Sequence, residues 1–256
     1  MSVLDSIIEG VRDDLASRRL PLSQISEQLS LAPSVIDAHD ALSRELTSVI
    51  AEVKRSSPSK GSLATIADPV ALASRYEAGG ASVISVLTES RRFGGSLDDL
   101  IAVRKGVSIP ILRKDFMVDE YQFLEARAAG ADVILLIVAA LSKNQLKDFY
   151  DLATELGMAA LVEVHTHQEL EDALAINPRI VGVNARNLKT LDIDLSAFDQ
   201  LIPEIPRDVI AVAESGIAVR ADVERAERSG ARAIVVGETL VKAQDPARAI
   251  ADLIGR

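Results

Sequence analysis

The stretch Ile109-Pro110-Ile111-Leu112-Arg113-Lys114-Asp115-Phe116 predicts a buried strand that ends in charged residues. A short apolar run after a proline is typical of a parallel strand. Side chains alternate along a strand, so Leu112, Lys114 and Phe116 share one face. If Leu112 points into a core, Lys114 points the same way at the strand's carboxyl end. A lysine there is costly to desolvate without a charged partner, and a lysine that reaches solvent from a surface strand is the alternative.

The same unit, a short β-rich run followed by a polar turn and an amphipathic helix, recurs along the chain. The predicted strands are Val49–Val53, Ser82–Thr88, Ile109–Arg113, Asp132–Val138, Ala159–Val164, Ile180–Asn184, Val209–Ala213 and Ala233–Val236. The predicted helices are Pro69–Ala78, Leu97–Lys105, Glu120–Ala129, Lys143–Leu156, His167–Ala175, Ala197–Pro203, Arg220–Arg228 and Pro246–Ile254. Eight such units predict an α/β fold, the (β/α)8 or TIM barrel. A doubly wound open sheet fits less well, because no Gly-x-Gly-x-x-Gly follows the first strand.

A leading segment precedes this repeat. Apolar residues at helical spacing predict a helix over Val3–Arg19, and a second helix is predicted over Ser34–Glu45. The polar stretch between them, with Pro21 and Pro33, is interpreted as a loop. We therefore expect one barrel domain over residues 1–256, with residues 1–47 as a helical extension.

Composition limits the possible partners. The 256 residues carry a formal net charge of −10 and only 3% aromatic residues, which argues against nucleic acid. Cysteine is absent, so disulfides and thiolates are excluded. No apolar run is long enough to span a bilayer, and the N-terminus lacks the basic start of a signal peptide. We expect a cytoplasmic protein, a monomer, that binds neither a membrane nor a cofactor.

Charged residues end several of the predicted strands. Alternation places Glu52 and Lys54 on the face of Ile50, Glu163 on the face of Leu161, and Glu214 on the face of Val212. The sixth strand ends in Asn184, with Arg186 two residues later. Each of these residues alone could be an ordinary polar group at a strand end, worth little. Because the active site of a barrel lies at the carboxyl ends of its strands, their common facing predicts one charged mouth that includes Lys114.

Glycines after the last two strands indicate a phosphate site. Ser215 and Gly216 follow strand seven, and Gly237 and Glu238 follow strand eight. Barrels often hold phosphate with backbone amides at these two places, although such glycines can also make only tight turns. The loop Arg55–Gly61, with Ser57 and Pro58, is interpreted as a mobile basic lid.

His165 and His167 form a His-x-His pair after strand five. Zinc can use this spacing, but no third ligand is evident, so we expect no metal site. Phe93 and Phe116 follow strand ends; core filling is the default interpretation, and walls for a flat ligand are the alternative.

Five ordered motifs resemble indole-3-glycerol phosphate synthases. They are Ile50-Ala51-Glu52-Val53-Lys54-Arg55-Ser56-Ser57-Pro58-Ser59-Lys60-Gly61, Ile111-Leu112-Arg113-Lys114-Asp115-Phe116, Leu161-Val162-Glu163-Val164-His165, Gly182-Val183-Asn184-Ala185-Arg186-Asn187-Leu188 and Ala213-Glu214-Ser215-Gly216-Ile217. One position differs, because Asn187 stands where the family motif has Asp. The resemblance implies an enzyme of tryptophan biosynthesis that closes the indole ring of 1-(2-carboxyphenylamino)-1-deoxyribulose 5-phosphate, losing carbon dioxide and water without cofactor or metal.

The resemblance also implies that the leading helices, as an N-terminal helical extension, fold over the mouth of the barrel, and it implies roles for individual residues. Lys114 would be the general acid on the ribulose carbonyl, Glu163 would exchange protons during dehydration, and Lys54 would hold the substrate carboxylate or act as a second acid. The residues that would orient the substrate are Glu52 and Asn184. The phosphate site would consist of Arg186, Ser215, Gly216, Gly237 and Glu238. The walls around the anthranilate ring would be Phe93, Phe116, Pro58, Leu135 and Leu188. Other phosphate-binding barrels, such as phosphoribosylanthranilate isomerase or the tryptophan synthase α subunit, are alternatives, as is a barrel that only binds a sugar phosphate.

Overall fold

The computed structural model of the chain describes residues 2–44, 46–188 and 190–256. Its centre is a closed barrel of eight parallel strands, which confirms the predicted TIM barrel. In chain order the strands are β1 (Ser48–Val53), β2 (Val83–Leu87), β3 (Ile111–Lys114), β4 (Val133–Ile137), β5 (Ala159–Val164), β6 (Ile180–Asn184), β7 (Ile210–Glu214) and β8 (Ala233–Val236). The ring closes where β1 pairs with β8, in the register Ser48 to Ala233.

Helices surround the barrel and cover its outer face. They are α1 (Val3–Arg18), α2 (Leu22–Ser30), α3 (Ala38–Leu42), α4 (Pro69–Ala78), α5 (Leu97–Gly106), α6 (Tyr121–Ala128), α7 (Lys143–Glu155), α8 (His167–Leu174), α9 (Ser196–Leu201), α10 (Arg220–Ser229), α11 (Glu238–Lys242) and α12 (Pro246–Ile254), with 3-10 turns at Val138–Ala140 and Ile202–Glu204. Capping residues determine where several helices begin. The side chains of Asp68 and Asp245 accept hydrogen bonds from backbone N–H groups of α4 and α12, and a proline follows each aspartate at the first helical position.

The barrel strands have two apolar faces, as parallel strands buried on both sides should. Ile50, Leu112, Leu161 and Val212 belong to a cluster inside the barrel. Their neighbours Val49, Ile111, Val162 and Ala213 pack outward against the helices. The inward facing that was assumed for Ile50, Leu112, Leu161 and Val212 is therefore confirmed, and it fixes the direction of the polar residues that follow them.

The two faces of β3 separate adjacent charges. The Lys114 side chain lies inside the barrel mouth, whereas the Arg113 side chain is fully buried on the helical side. Arg113 Nη2 donates to Asp115 Oδ2 at 3.0 Å and to Glu125 Oε2 at 2.8 Å. Glu125 in turn binds Arg18 at the end of α1. This chain of ion pairs joins the leading helix to the barrel wall.

The leading segment differs from its prediction in one helix. The stretch interpreted as a loop contains α2, which buries Ile25 and ends before Pro33. Pro21 stands at the N-cap of this helix, where its fixed φ and missing N–H cost nothing, so it begins the helix and does not break it. Helix α3 spans only the middle of the predicted Ser34–Glu45, and Glu45 itself lies outside the described residues.

Smaller differences concern strand ends. Strand β3 begins after Pro110 and reaches Lys114, and β7 reaches Glu214, so both charged residues belong to the strands. The loop after β1 contains a two-stranded antiparallel hairpin, Ser56–Ser57 with Gly61–Ser62, that was not predicted. Left-handed glycines follow α10 and α12, at Gly230 and Gly255, as helix stops require. None of the described helices combines the length and the apolarity that a membrane crossing requires.

Candidate active site

A cavity of about 460 Å³ opens at the carboxyl ends of the barrel strands. The structure brings every sequence-predicted site residue to its lining: Glu52, Lys54, Ser57, Pro58, Phe93, Lys114, Phe116, Leu135, Glu163, Asn184, Arg186, Leu188, Glu214, Ser215, Gly216, Gly237 and Glu238. Helix α1 closes one side, with Val3, Leu4 and Ile7. The cavity is therefore lined by every strand end and by the leading helix.

Lys114 lies between two buried carboxylates at the floor of this cavity. Its Nζ donates to Glu163 Oε2 at 2.9 Å and is 3.3 Å from Glu214 Oε2. Both glutamate side chains are 2% exposed and the lysine is 14% exposed. The ammonium group is therefore desolvated and paired. The two charged partners offset the free-energy cost of burying a lysine at the end of this strand.

The three groups move each other's pKa values in different directions. Burial alone would lower the pKa of Lys114, but Glu163, Glu214 and Glu52 raise it well above its ordinary value. Burial also opposes ionisation of Glu163, yet Lys114, with smaller contributions from His165 and Asn184, lowers the pKa of this carboxyl. Burial and the negative Glu163 instead raise the pKa of Glu214 to about 8. At neutral pH the site contains an ammonium, a carboxylate and a carboxylic acid in contact.

Strand β1 contributes a second lysine and its carboxylate. The Lys54 ammonium donates to Glu52 Oε1, and the Glu52 side chain is buried. Gly237, opposite on the loop after β8, leaves the necessary room, because a Cβ there would lie 2.4 Å from Glu52 Oε1. Gly182 on β6 has the same function for Glu214, since its Cβ would lie 2.0 Å from Glu214 Oε1.

Arg186 provides an unpaired cation at the mouth. Its Nη1 donates to the carbonyl of Leu191 at 2.9 Å and to Ser59 Oγ at 3.0 Å. Its backbone N–H donates to Asn184 Oδ1 at 3.0 Å, which fixes the amide at the end of β6. No carboxylate of the described residues lies within ion-pair distance of Arg186. A half-buried guanidinium with spare donors suits an anionic oxygen.

The loops after β7 and β8 meet beside Arg186. Ser215 and Gly216 both have left-handed backbones, with φ of 68° and 78°. A non-glycine residue in this conformation is uncommon and often marks a functional turn. Thr239 Oγ1 donates to the Ile217 carbonyl at 3.0 Å and ties the two loops together. Gly237 is the N-cap of the short helix α11, and residues of both loops line the same cavity.

An apolar wall covers the opposite side. The rings of Phe93 and Phe116 have centroids 6.1 Å apart and are tilted by 40°. Pro58, Leu135 and Leu188 line the same cavity, so a flat ring has aliphatic and aromatic surfaces to contact.

Sequence reasoning missed several lining residues. Lys60 and Lys242 both donate to Glu238 Oε1 at 2.8 Å, from the hairpin and from α11. The i,i+4 spacing of Glu238 and Lys242 was a signal for that pair. Nothing local indicated that Val3, Leu4 and Ile7 reach the cavity, because this contact depends on where α1 docks. Across residues 2–44, 46–188 and 190–256, no group of three or more histidine and acidic side chains could hold a metal ion.

Known proteins resemble this chain in sequence, and others resemble it in fold. The family model of indole-3-glycerol phosphate synthase matches residues 4–253. The indole-3-glycerol phosphate synthases of Kineococcus radiotolerans and Streptomyces griseus are 55% and 56% identical to the chain, over 99% of this chain and 95% of theirs. That of Mycobacterium leprae is 54% identical, over 99% of this chain and 94% of its own.

Solved structures support the barrel alone. A crystal structure of 3-hexulose-6-phosphate synthase superposes with a TM-score of 0.65 at 17% identity, covering 82% of this chain and 99% of that one. Thiamine phosphate pyrophosphorylase from Pyrococcus furiosus gives 0.61 at 14% identity, covering 85% and 96%. At such low identities the likeness concerns the fold, whereas the family model and the close relatives extend over nearly the whole chain. The chain therefore belongs to the indole-3-glycerol phosphate synthase family.

Proposed function

We propose that the chain closes the indole ring of 1-(2-carboxyphenylamino)-1-deoxyribulose 5-phosphate, with loss of carbon dioxide and water, in tryptophan biosynthesis. The observation that carries the proposal is Lys114, a desolvated ammonium held between Glu163 and Glu214 in a cavity whose mouth has a free guanidinium. This arrangement suits a substrate with a carbonyl to be protonated at one end and a phosphate at the other.

Lys114 is the acid for ring closure. The carbon that attacks the ribulose carbonyl needs that oxygen protonated as the new bond forms. The carboxylates around Lys114 keep its ammonium form populated at neutral pH, so the proton is always available. Glu163 and Glu214 also fix the position of Nζ, which preserves its aim at the carbonyl.

The apolar wall assists decarboxylation. Phe93 and Phe116 hold the anthranilate ring, with Pro58, Leu135 and Leu188 around it. A carboxylate moved from water toward such a surface loses hydration, which favours its departure as neutral carbon dioxide. Lys54 first holds the substrate carboxylate, and its ion pair with Glu52 keeps it at the rim of the cavity.

The dehydration half needs an acid for the departing hydroxyl and a base for the ring C–H. Glu163 is ionised and in contact with Lys114, so it serves as the base. Lys54, across the cavity mouth, is the candidate second acid, with Glu52 as its orienting partner. Asn184 is fixed by Arg186 and orients the hydroxyl groups of the substrate.

The phosphate occupies the loops after β7 and β8. Arg186 donates its spare N–H groups, and the backbones of Ser215, Gly216, Gly237 and Glu238 complete the site. Ser57 contacts the substrate from the hairpin, opposite these loops. Binding energy from this distant group is available to hold the substrate in the closed geometry that ring formation requires.

The proposal also covers the setting of the enzyme. It is a single barrel domain over residues 1–256 with residues 1–47 as its extension, a monomer in the cytoplasm, acting on a small phosphorylated substrate and on neither nucleic acid nor membrane. The acidic net charge of −10 supports this choice of partner.

A steady-state assay of Lys114→Ala with the anthranilate-derived substrate tests the proposal. We expect the turnover number to fall by about a thousandfold, within the usual range for loss of a general acid, while the circular dichroism spectrum is kept. Lys147→Ala, on the exposed face of α7, is the matched control and should retain wild-type activity. Turnover of Lys114→Ala near the wild-type rate would remove the assignment of the acid.

A further inference from the structure

His165 is the residue after β5, and its side chain is not among those that line the cavity. The imidazole is 10% exposed. Its Nε2 lies 3.4 Å from Glu163 Oε1, the oxygen that Lys114 does not bind. Among the described residues this buried Nε2 has no hydrogen-bond partner. A buried polar atom that lies this close to a carboxylate of the candidate active site requires a functional explanation.

Glu169 on α8 determines the state of the ring. Its Oε2 accepts the backbone N–H of His165 at 2.8 Å and lies 3.1 Å from Nδ1. Because a carboxylate oxygen can only accept, Nδ1 carries a proton. The remaining question is whether Nε2 is also protonated, since an unprotonated Nε2 would turn its lone pair toward Glu163.

The surrounding charges favour the imidazolium. Glu163 on β5, Glu169 on α8 and Glu214 on β7 face His165, and Lys114 on β3 lies beyond Glu163. Burial opposes the charged ring, but Glu169, which binds Nδ1, and the ionised Glu163 outweigh burial and raise the pKa of His165. Glu163 then has a cation on each oxygen: Lys114 on Oε2 and His165 on Oε1.

We propose that His165 is a positioning residue for the reaction: its imidazolium, held by Glu169, attracts Glu163 Oε1 electrostatically across 3.4 Å and so keeps Oε2 directed at Lys114. This inference rests on the proposed function. It adds a second layer, Glu169 and His165, that the substrate never touches. When His165 loses its proton, its attraction for Glu163 Oε1 is lost and kcat falls. The proposal therefore predicts that kcat declines on the alkaline side of the pH profile.

Two substitutions separate this role from a structural one. Glu169→Gln keeps the shape and one acceptor but removes the charge that favours the imidazolium. It should move the alkaline decline of kcat to lower pH by about one unit, with KM unchanged. His165→Gln places a neutral amide near Nε2 and cannot titrate. It should lower kcat by about tenfold, as a small misalignment of a catalytic group does, and abolish the part of the decline that Glu169→Gln moves.

His167→Gln is the control, because His167 pairs with Glu204 at the surface and should leave the profile unchanged. Glu214 also titrates near the pH range of the alkaline decline. Its contribution to the pH profile of kcat is the portion of the decline that does not move in Glu169→Gln. If that variant has the wild-type pH profile, or His165→Gln has the wild-type kcat, the proposal is overturned.

A proton NMR titration without substrate tests the charge directly. The chain has three histidines, so the Cε1–H signal of His165 is assigned by comparison with His39→Gln and His167→Gln. We expect His165 to titrate above 6.5, the ordinary histidine value, and Glu169→Gln to lower its pKa. A midpoint at or below 6.5 in the wild type refutes the inference. This titration needs no turnover, so its result is independent of whether the proposed substrate is the correct one.

Discussion

Glu163 and Glu214 bind the same ammonium group, yet their ionisation differs. Glu163 has Lys114 at hydrogen-bond distance and His165 behind it, which favours the carboxylate. Glu214 has a longer contact to Lys114, its Oε1 has no hydrogen-bond partner in the described part of the chain, and the negative Glu163 nearby opposes its ionisation. Burial therefore dominates at Glu214, and the pair divides into a base and a neutral acid.

This difference predicts how stability depends on pH. The pKa of Glu214 is raised to about 8 in the folded protein, whereas the unfolded chain loses this proton near 4.5. Between these values the unfolded state releases the proton and the folded state keeps it, so rising pH disfavours folding through this group. Glu214→Gln removes the effect. Its gain in free energy of unfolding over wild type should be larger at pH 8 than at pH 5 by about 1 kcal/mol or more.

Urea unfolding at both pH values measures this gain, and Glu155→Gln at the exposed end of α7 is the control. An equal difference between variant and wild type at pH 5 and pH 8 would mean that Glu214 ionises in the folded protein as it does in the unfolded chain.

Arg186→Ala should act on binding. The guanidinium has no carboxylate partner among the described residues, and its loss removes charge-assisted hydrogen bonds to phosphate, worth about 1.5–3 kcal/mol. We expect KM to rise by about tenfold or more, with kcat reduced far less. Arg207→Ala, at an exposed residue that does not line the cavity, is the matched control. A loss confined to kcat would place Arg186 in the chemical step instead.

At the scale of elements, Gly182 on β6 leaves room inside the barrel for the Glu214 side chain of β7 because it has no side chain of its own. A Cβ at this position would lie 2.0 Å from Glu214 Oε1 and 3.2 Å from a methyl group of Leu161. Gly182→Ala should therefore displace the Glu214 carboxylate, reduce kcat, and cost about 1–3 kcal/mol of stability through overpacking.

Thermal unfolding and steady-state kinetics of Gly182→Ala measure the two effects. Gly10→Ala on α1 is a suitable comparison, because its Cβ would meet only the movable end of Arg91. Wild-type kinetics in Gly182→Ala would show that Glu214 can move without consequence.

The elements differ in how well the sequence predicts them. Strands β5, β6 and β8 and helices α4 and α12 have the predicted bounds, because each is a strong periodic pattern with its own cap or turn. Helix α2 was missed because the polar stretch with Pro21 and Pro33 was interpreted as a loop, whereas Pro21 is the N-cap of this helix. The hairpin after β1 consists of two-residue strands, for which two-residue periodicity provides no signal.

For the whole molecule, charge is unevenly placed. The chain carries −10 overall, but Lys54, Lys60, Arg186 and Lys242 line one opening. Lys60 and Lys242 share one carboxylate, Glu238, and Arg186 has none among the described residues, so this part of the opening has a net positive charge. Salt at 0.1 M screens charges beyond about 10 Å, so these nearby cations act on a bound phosphate more strongly than the distant negative charges do.

Raising KCl from 0.05 to 0.5 M should therefore increase KM several-fold while kcat changes little. The double variant Lys60→Ala, Lys242→Ala should show a weaker dependence on salt. A KM that falls as salt is added would mean that the overall negative charge governs the approach of the substrate.

The site was largely predictable because strand parity needs only the sequence. Knowing that Ile50, Leu112, Leu161 and Val212 face inward places Glu52, Lys114, Glu163 and Glu214 in one mouth. The position of α1 over the mouth was implied by the family resemblance and not by the residues of α1 themselves, since ion pairs such as Arg91 to Asp14 and Arg18 to Glu125 hold it there. These pairs join residues far apart in the chain.

The opposite orientation of Arg113 and Lys114 has a practical meaning for directed evolution. A mutant library built on inward positions of the strand ends changes the chemistry the enzyme offers, while the outward positions keep the scaffold intact. Randomising consecutive residues would mix changes in chemistry with changes in stability, since every second substitution would fall on an outward side chain that packs against the helices. A search for new substrates should therefore skip alternate residues, and a search for thermal tolerance should use the ones that were skipped.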